Sequence, residues 1–358
     1  MQQTSPKKSN SRRGMALVLT LAAIAVILGI VALVARQSAA REPSQISYTA
    51  MGTGISSTIY CNSKSKADDL NQQCKKAIDT LEQQEISWRI PDSDIAELNR
   101  NGSGDVSPDT AKVIRQCLDV SQNCGGCYDI TIGKLTTLWN IGTSKARVPS
   151  QAEIEKALPF VNYKDIRVNG THITLGKGQF LDLGGIGKGY AADKCQDVLK
   201  KNGAEGAAIA VGGSVLLYGK NPGSKDGTWN VGIQDPGRTH NDTCMTFRTG
   251  PCFVSTSGDY EKVLTVDGKS YHHILSPKTG YPADTNVTST TVVTSNGALS
   301  DALSTACFIY GYSAQSLKLL KHYGAEGVFI LKDGTIYATP GIRGKLTLTN
   351  QKDFRFAS

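Results

Sequence analysis

An uncharged apolar run of 21 residues, at positions 15–35, constrains this chain more than any other feature. A bilayer core accepts about 20 apolar residues as a helix, because each backbone polar group must be satisfied inside the segment. Lys7, Lys8, Arg12 and Arg13 precede the run, and basic flanks stay cytoplasmic. The pattern predicts a cytoplasmic basic tail over 1–14, a transmembrane anchor or signal segment over 15–35, and an exported body. A cleavable signal has a shorter apolar core of about 7–15 residues, which favours an uncleaved anchor. "QSAA" at 37–40 is the alternative cleavage site. Residues 36–46 read as a polar linker, and 47–350 as a single domain without repeats or low-complexity segments.

The net charge of +8 comes mostly from this leader. Six of the 39 basic side chains and one of the 31 acidic ones precede residue 47, leaving 33 and 30 for the body. A body so nearly balanced lacks the basic bias of a nucleic-acid binder. All nine cysteines lie in the body. Disulfides are expected outside the cytoplasm, and an odd number leaves at least one thiol unpaired within the chain.

Helical periodicity marks 72–88 and 109–124. Hairpins are expected at Asn169-Gly170, Asp267-Gly268 and Asp333-Gly334, and "AAIAVGGSVLLYG" reads as strand, glycine break, strand. Helices and hairpins interleave without βα alternation. That predicts an α+β fold with mostly antiparallel sheets and packed helices.

Four stretches could carry chemistry. "LDLGGIGKGYAADK" at 181–194 reads as strand, glycine-rich turn and helix start. Such a turn presents backbone N–H groups to an anion such as phosphate, or simply packs tightly. Asp182 beside it either accepts from a ligand or caps local N–H groups. In "GALSDALSTAC" at 297–307, Ser300 reads as an N-cap, with Asp301 and Thr305 on one helix face. A carboxylate beside a hydroxyl suits a hard cation such as Mg²⁺; equally, Asp301 can favour the helix dipole while Thr305 bonds back to the chain. His272 and His273 are neighbours, so only one easily faces a site, as a general base or as a structural group. "CGGC" at 124–127 is a redox pair, a disulfide or two buried thiols.

Read in order, these segments resemble the ApbE family of FAD:protein FMN transferases. The match runs through "AMGT", "SWRIPDSDIAELN", "YDITIGKLTTLW", "LDLGGIGKGYAADK", "WNVGIQDP", "TSGDY", "YHHILSPKTGYP" and "SDALSTACFIYG". The resemblance implies an ApbE-like, T-fold-related α+β fold. It implies Mg²⁺-dependent transfer of FMN from FAD, the substrate, to a Thr or Ser hydroxyl of a target protein, with AMP released. Asp301, Thr305 and the Gly185 carbonyl would hold the metal. Ser304 stands where some relatives carry a further acidic ligand. Met51, Cys127, Tyr128, Asp129, Asp182, Lys188 and Leu275 fall where relatives contact FAD, and Arg89 where an aromatic residue often stacks on the flavin. His273 matches the general base, and Asp301 also counts as catalytic. A Cys124–Cys127 disulfide would stiffen the FAD wall. The implied partner is an exported or membrane-bound electron-transfer protein carrying the acceptor hydroxyl, with the N-terminal helix holding the enzyme at the membrane. Three other readings use the same residues: an FAD pyrophosphatase giving FMN and AMP, a non-catalytic flavin-binding protein, and a thiol oxidoreductase.

Overall fold

A computed structural model describes residues 42–238 and 242–357. The apolar run at 15–35 and most of the linker lie outside the described residues. Among the described residues, no helix is long and apolar enough to cross a membrane.

The frame is a nine-stranded sheet. Its strands are β1 (Ser44–Ala50), β2 (Thr53–Tyr60), β3 (Gly206–Val211), β4 (Ser214–Gly219), β5 (Cys252–Gly258), β6 (Val287–Thr294), β7 (Glu326–Leu331), β8 (Thr335–Ala338) and β9 (Arg355–Phe356). They lie side by side in chain order. Every neighbouring pair is antiparallel except β8–β9, which is parallel. The first strand takes in residues 44–46, assigned to the linker in the sequence reading, and the last strand falls beyond residue 350.

Alternation along the strands sorts the apolar residues into two layers. Leu216, Phe253 and Phe329 face the helices. Their neighbours Leu217, Val254, Val328 and Ile330 face a three-stranded sheet formed by Trp229–Gln234, Thr243–Thr249 and Leu346–Leu348. On the helical side lie α1 (Lys64–Thr80), α2 (Pro108–Asn123), α3 (Gly187–Lys201) and α4 (Gly297–Tyr310). All three expected NG and DG hairpins form: 167–174, 263–272 and β7–β8.

One boundary differs from expectation. Helix α4 starts at Gly297, and its N-cap is Asn296, whose side chain accepts from Leu299 N–H at 2.8 Å. Ser300 is therefore inside the first turn, fully buried, donating to the Gly297 carbonyl and bonded to Ser255 Oγ at 2.6 Å. An asparagine is as good a cap as a serine, and starting earlier places one more turn of this apolar helix against the sheet.

Candidate active site

The first wall of the site is the crossing of α3 and α4, and it depends on the absence of two side chains. A Cβ on Gly189 would collide with the Gly297 carbonyl and come within 2.7 Å of Asp301 Cβ; a Cβ on Gly297 would strike the Gly189 carbonyl. The two backbones therefore touch. Asp193 on α3 strengthens the contact by accepting from the Gly297 and Ala298 N–H groups at 2.7 and 2.8 Å, at the N-terminus of α4. Burial pushes its carboxyl up to about 6. Asp193 was not anticipated from sequence; as an acid within an amphipathic helix it looks like solvent-facing charge.

This crossing brings the glycine-rich turn against Asp301. The Asp301 side chain is 3 % exposed and pairs with Lys188 Nζ at 3.1 Å. Its Oδ2 also accepts from the Gly189 N–H at 3.1 Å. A carboxylate this deep needs a positive partner, and Lys188 supplies one from the turn, where its ammonium also meets the Gly184 carbonyl at 3.1 Å. Gly185 lies over Thr305: a Cβ there would be 3.5 Å from Thr305 Oγ1. The Thr305 hydroxyl donates to the Asp301 carbonyl at 3.2 Å, and with the Asp301 carboxylate it offers oxygen donors beside Gly185, the type that suits Mg²⁺. Among the described residues no group of three or more His, Cys, Asp or Glu is gathered for a metal.

Ser304 is turned to a different task. Its hydroxyl donates to the Asp301 carbonyl at 2.9 Å and meets Ser257 Oγ at 2.8 Å. Ser300 and Ser304 thus form a hydroxyl ladder with Ser255 and Ser257 of β5, while Asp301 and Thr305 face the turn. The polar residues of α4 serve two faces. Ser257, which also lies 3.4 Å from Thr305 Oγ1, was not singled out from sequence.

The remaining expected residues divide in the same manner. Met51, with φ 53°, and Gly52, with φ 66°, make the β1–β2 turn, and Met51 Cε lies 3.4 Å from where a Gly187 Cβ would be. Tyr128 packs its ring on Gly185, and its hydroxyl meets Cys117 Sγ at 3.5 Å. Asp182 accepts from Gly184 N–H and Thr136 Oγ1, both at 2.8 Å, so it caps the turn. Asp129 has both oxygens engaged, by Thr131 and by the Tyr163 N–H; its carboxylate shapes the loop. Leu275 is buried in a small core with Leu135 and Trp139. Arg89 lies over the Trp88 ring at 4.1 Å, and Trp88 meets Phe180 edge-on at 5.5 Å. These three residues line a cavity of about 220 Å³.

Cys124 and Cys127 are buried free thiols, as Cys74 and Cys195 are. Cys124 accepts from the Tyr128 N–H at 3.2 Å, and Cys127 donates to the Ala306 carbonyl at 3.7 Å.

The two histidines separate cleanly. His272 spends both ring nitrogens: Nε2 lies 3.1 Å from the Ala283 carbonyl, and Nδ1 accepts from the Ile274 N–H at 3.3 Å. His273 has a buried Nδ1 without a partner among the described residues. Desolvation, then the charges of Lys188 and Lys262, push it down to about 3. It is a neutral imidazole beside two ammonium groups. Lys262 accepts the His273 N–H at 3.1 Å through its carbonyl, and burial followed by repulsion from Lys188 and Arg89 lowers its own pKa. Two ammonium groups beside a neutral imidazole mark a place for a polyanion.

Known proteins are similar to this chain in sequence and fold. Residues 51–329 match the ApbE family. An FAD:protein FMN transferase of Treponema pallidum is 32% identical over 311 residues, spanning 82% of this chain and 85% of the relative. The Escherichia coli K12 enzyme of the same name is 26% identical over 310 residues, 84% and 87% of the two chains. The crystal structure of the Thermotoga maritima ApbE protein superposes with a TM-score of 0.76 at 28% identity, covering 85% of this chain and 99% of that one. The Vibrio cholerae flavin transferase ApbE, at 24% identity and a TM-score of 0.73 over 85% of this chain and 99% of its own, shares the fold. The match over residues 51–329 and the 32% identical relative establish that the chain belongs to the ApbE family.

Proposed function

We propose that this chain is an FAD:protein FMN transferase that uses Mg²⁺ and joins FMN to a Thr or Ser hydroxyl of a target protein through a phosphoester, releasing AMP. The observation that carries the reading is the convergence of a buried, singly paired Asp301, the Thr305 hydroxyl and the glycine-rich turn with a neutral, unpartnered His273. The enzyme class rests on relatives that bear this name.

Asp301, Thr305 and the Gly185 carbonyl would hold Mg²⁺. Bound there, the ion would neutralise charge growing on the pyrophosphate as the bond to AMP breaks. Lys188, Lys262 and Arg89 supply the fixed positive charge that draws in the dinucleotide. The acceptor oxygen attacks the phosphorus on the FMN side, the oxygen bridging to the AMP phosphorus departs with AMP, and His273 is placed to take the hydroxyl proton. An imidazole kept neutral by burial is ready for that proton at any pH well above about 3. The Trp88–Arg89–Phe180 cavity offers ring faces and a guanidinium plane for the flavin.

The apolar run at 15–35 supports an anchor that holds the domain on the extracytoplasmic side, close to membrane-bound electron-transfer acceptors. The test is incubation of the full chain with FAD, Mg²⁺ and a candidate acceptor. Flavin fluorescence on the acceptor band in a denaturing gel is expected. Free FMN and AMP without labelled acceptor would mean that water is the acceptor and the enzyme is a pyrophosphatase. Neither product, with FAD still tightly bound, would reduce it to a flavin-binding protein.

A further inference from the structure

Away from the site, two cysteines meet in the core. Cys74 on α1 and Cys195 on α3 are 2 % and 0 % exposed. The Cys74 thiol points at the Cys195 carbonyl, 3.9 Å away, and the Cys195 thiol at the Cys74 carbonyl, 4.0 Å away. Such reciprocity means that each sulfur lies beside the other residue's backbone, as when two helices pack cysteine against cysteine. The Cys195 thiol is held far above its ordinary value, first by its hydrogen bond with the Cys74 side chain and then by burial. Each sulfur is the other's neighbour, with the Tyr48 ring a nearby titratable group.

We propose that Cys74 and Cys195 are a built disulfide site, joined as the chain folds in an oxidising compartment. The oxidant is a disulfide of the thiol-exchange class. One cysteine thiolate attacks it to give a mixed disulfide; the second attacks that sulfur, the Cys74–Cys195 bond forms, and the oxidant leaves with two electrons and two protons as a dithiol. Timing follows from burial. Once α1 and α3 have docked, neither sulfur is reachable and Cys195 resists ionisation, so the bond forms before docking and is then protected from reductants.

The bond would close a loop of 121 residues, which contains most of the inserted segment that builds the site. It would also tie α3 to the β1–β2 side of the sheet about two turns beyond Lys188, roughly 10 Å along the helix. A cross-link of this span restricts the unfolded chain strongly. It touches no residue of the reaction, so transfer by folded protein is expected to be unchanged.

The bond in cells depends on the proposed export; the pairing itself does not, and the test separates them. The full chain is refolded in detergent with a glutathione–glutathione disulfide buffer, blocked with iodoacetamide and digested with trypsin without reduction. Residues 67–75 joined to 195–200 are expected as one species, two hydrogens lighter than the separate peptides. Refolding with dithiothreitol should lower the Tm by about 5 °C or more, and the Cys74→Ser/Cys195→Ser variant should lose that dependence. Folded protein carrying both cysteines alkylated after oxidative refolding would overturn the proposal, whether or not the double variant folds. A pair that links in refolding but is free in protein trapped from cells would overturn the export reading and leave the pairing standing.

Discussion

The site takes its carboxylate and its imidazole from two parts of the molecule built in opposite ways. Asp301 sits where α3 and α4 touch backbone to backbone, buried on every side. His273 sits at the foot of a two-stranded ribbon, 263–272, which has no third strand and exposes Val263 at 42 % and Val266 at 37 %. The first part has no room to adjust. The second packs on the body through Tyr271, whose ring lies 5.3 Å from that of Trp139, and leaves its two valines exposed. Charge on a pyrophosphate is best stabilised by groups fixed in advance, whereas a hydroxyl on another protein has to arrive at the surface. The contrast divides the proposed reaction into a rigid half that handles phosphate and an open half that handles the acceptor.

The comparison can be broken most severely at the carboxylate. Asp301→Ala should reduce FMN transfer about 10³-fold or more, measured as flavin fluorescence on the acceptor; transfer at the wild-type rate would remove the metal seat from α4. His273→Ala should slow transfer by about 10²–10⁴-fold. Because His273 titrates near 3, kcat/KM should show no His273 limb between pH 5 and 8, and a limb near 6.5 would mean that its ring is solvated. Gly189→Ala should destabilise the fold by about 3 kcal/mol, because the methyl group meets backbone that cannot yield. Val266→Ser on the ribbon should stay within about 0.5 kcal/mol. Equal losses of Tm in those two variants would erase the distinction between rigid and open halves.

A weaker effect sharpens the rigid side. Glu85 lies just before Ile86, whose Cδ1 is 2.8 Å from where a Gly187 Cβ would be, and its buried Oε2 has no partner among the described residues. Burial, then repulsion from Asp109, pushes its carboxyl up to about 7. The native state therefore binds this proton more readily than the unfolded chain does. Its contribution is full below about 4.5 and is lost as pH rises through about 7. Glu85→Gln should accordingly stabilise the fold at pH 8 by about 1 kcal/mol after solvent screening, read as a higher Tm, and leave it unchanged at pH 4.

How legible these features were follows from the range of the forces involved. The hairpins at Asn169-Gly170, Asp267-Gly268 and Asp333-Gly334 depend on turn chemistry within four residues, and all form. The i, i+4 placement of Asp301 and Thr305 is local helical geometry, and it holds. Whether those groups act or merely cap depends on what crosses α4, and the Gly189–Gly297 contact joins residues too far apart in the chain for any periodicity to record. The same limit hid the use of Ser304, which is settled by Ser257 on β5. It also hid which histidine was spent, since the His272 ring is bound by the Ala283 carbonyl across a turn. Asp129 and Asp182, expected to contact FAD, spend their carboxylates on the N–H groups of nearby loops.

The order of the sheet has a consequence for how the molecule is assembled. Because β1 to β9 lie in space as they lie in the chain, a polypeptide emerging N-terminus first can grow its sheet from one edge, adding each strand beside the one already laid down. The longest interruption of this vectorial growth comes early. Residues 61–205 must gather between β2 and β3, and they include α1, α2, α3 and the glycine-rich turn. During that interval a long unclosed loop carries the apolar faces of α1, α2 and α3, and the α3 side of the phosphate-handling wall waits for α4, which follows β6, to complete it.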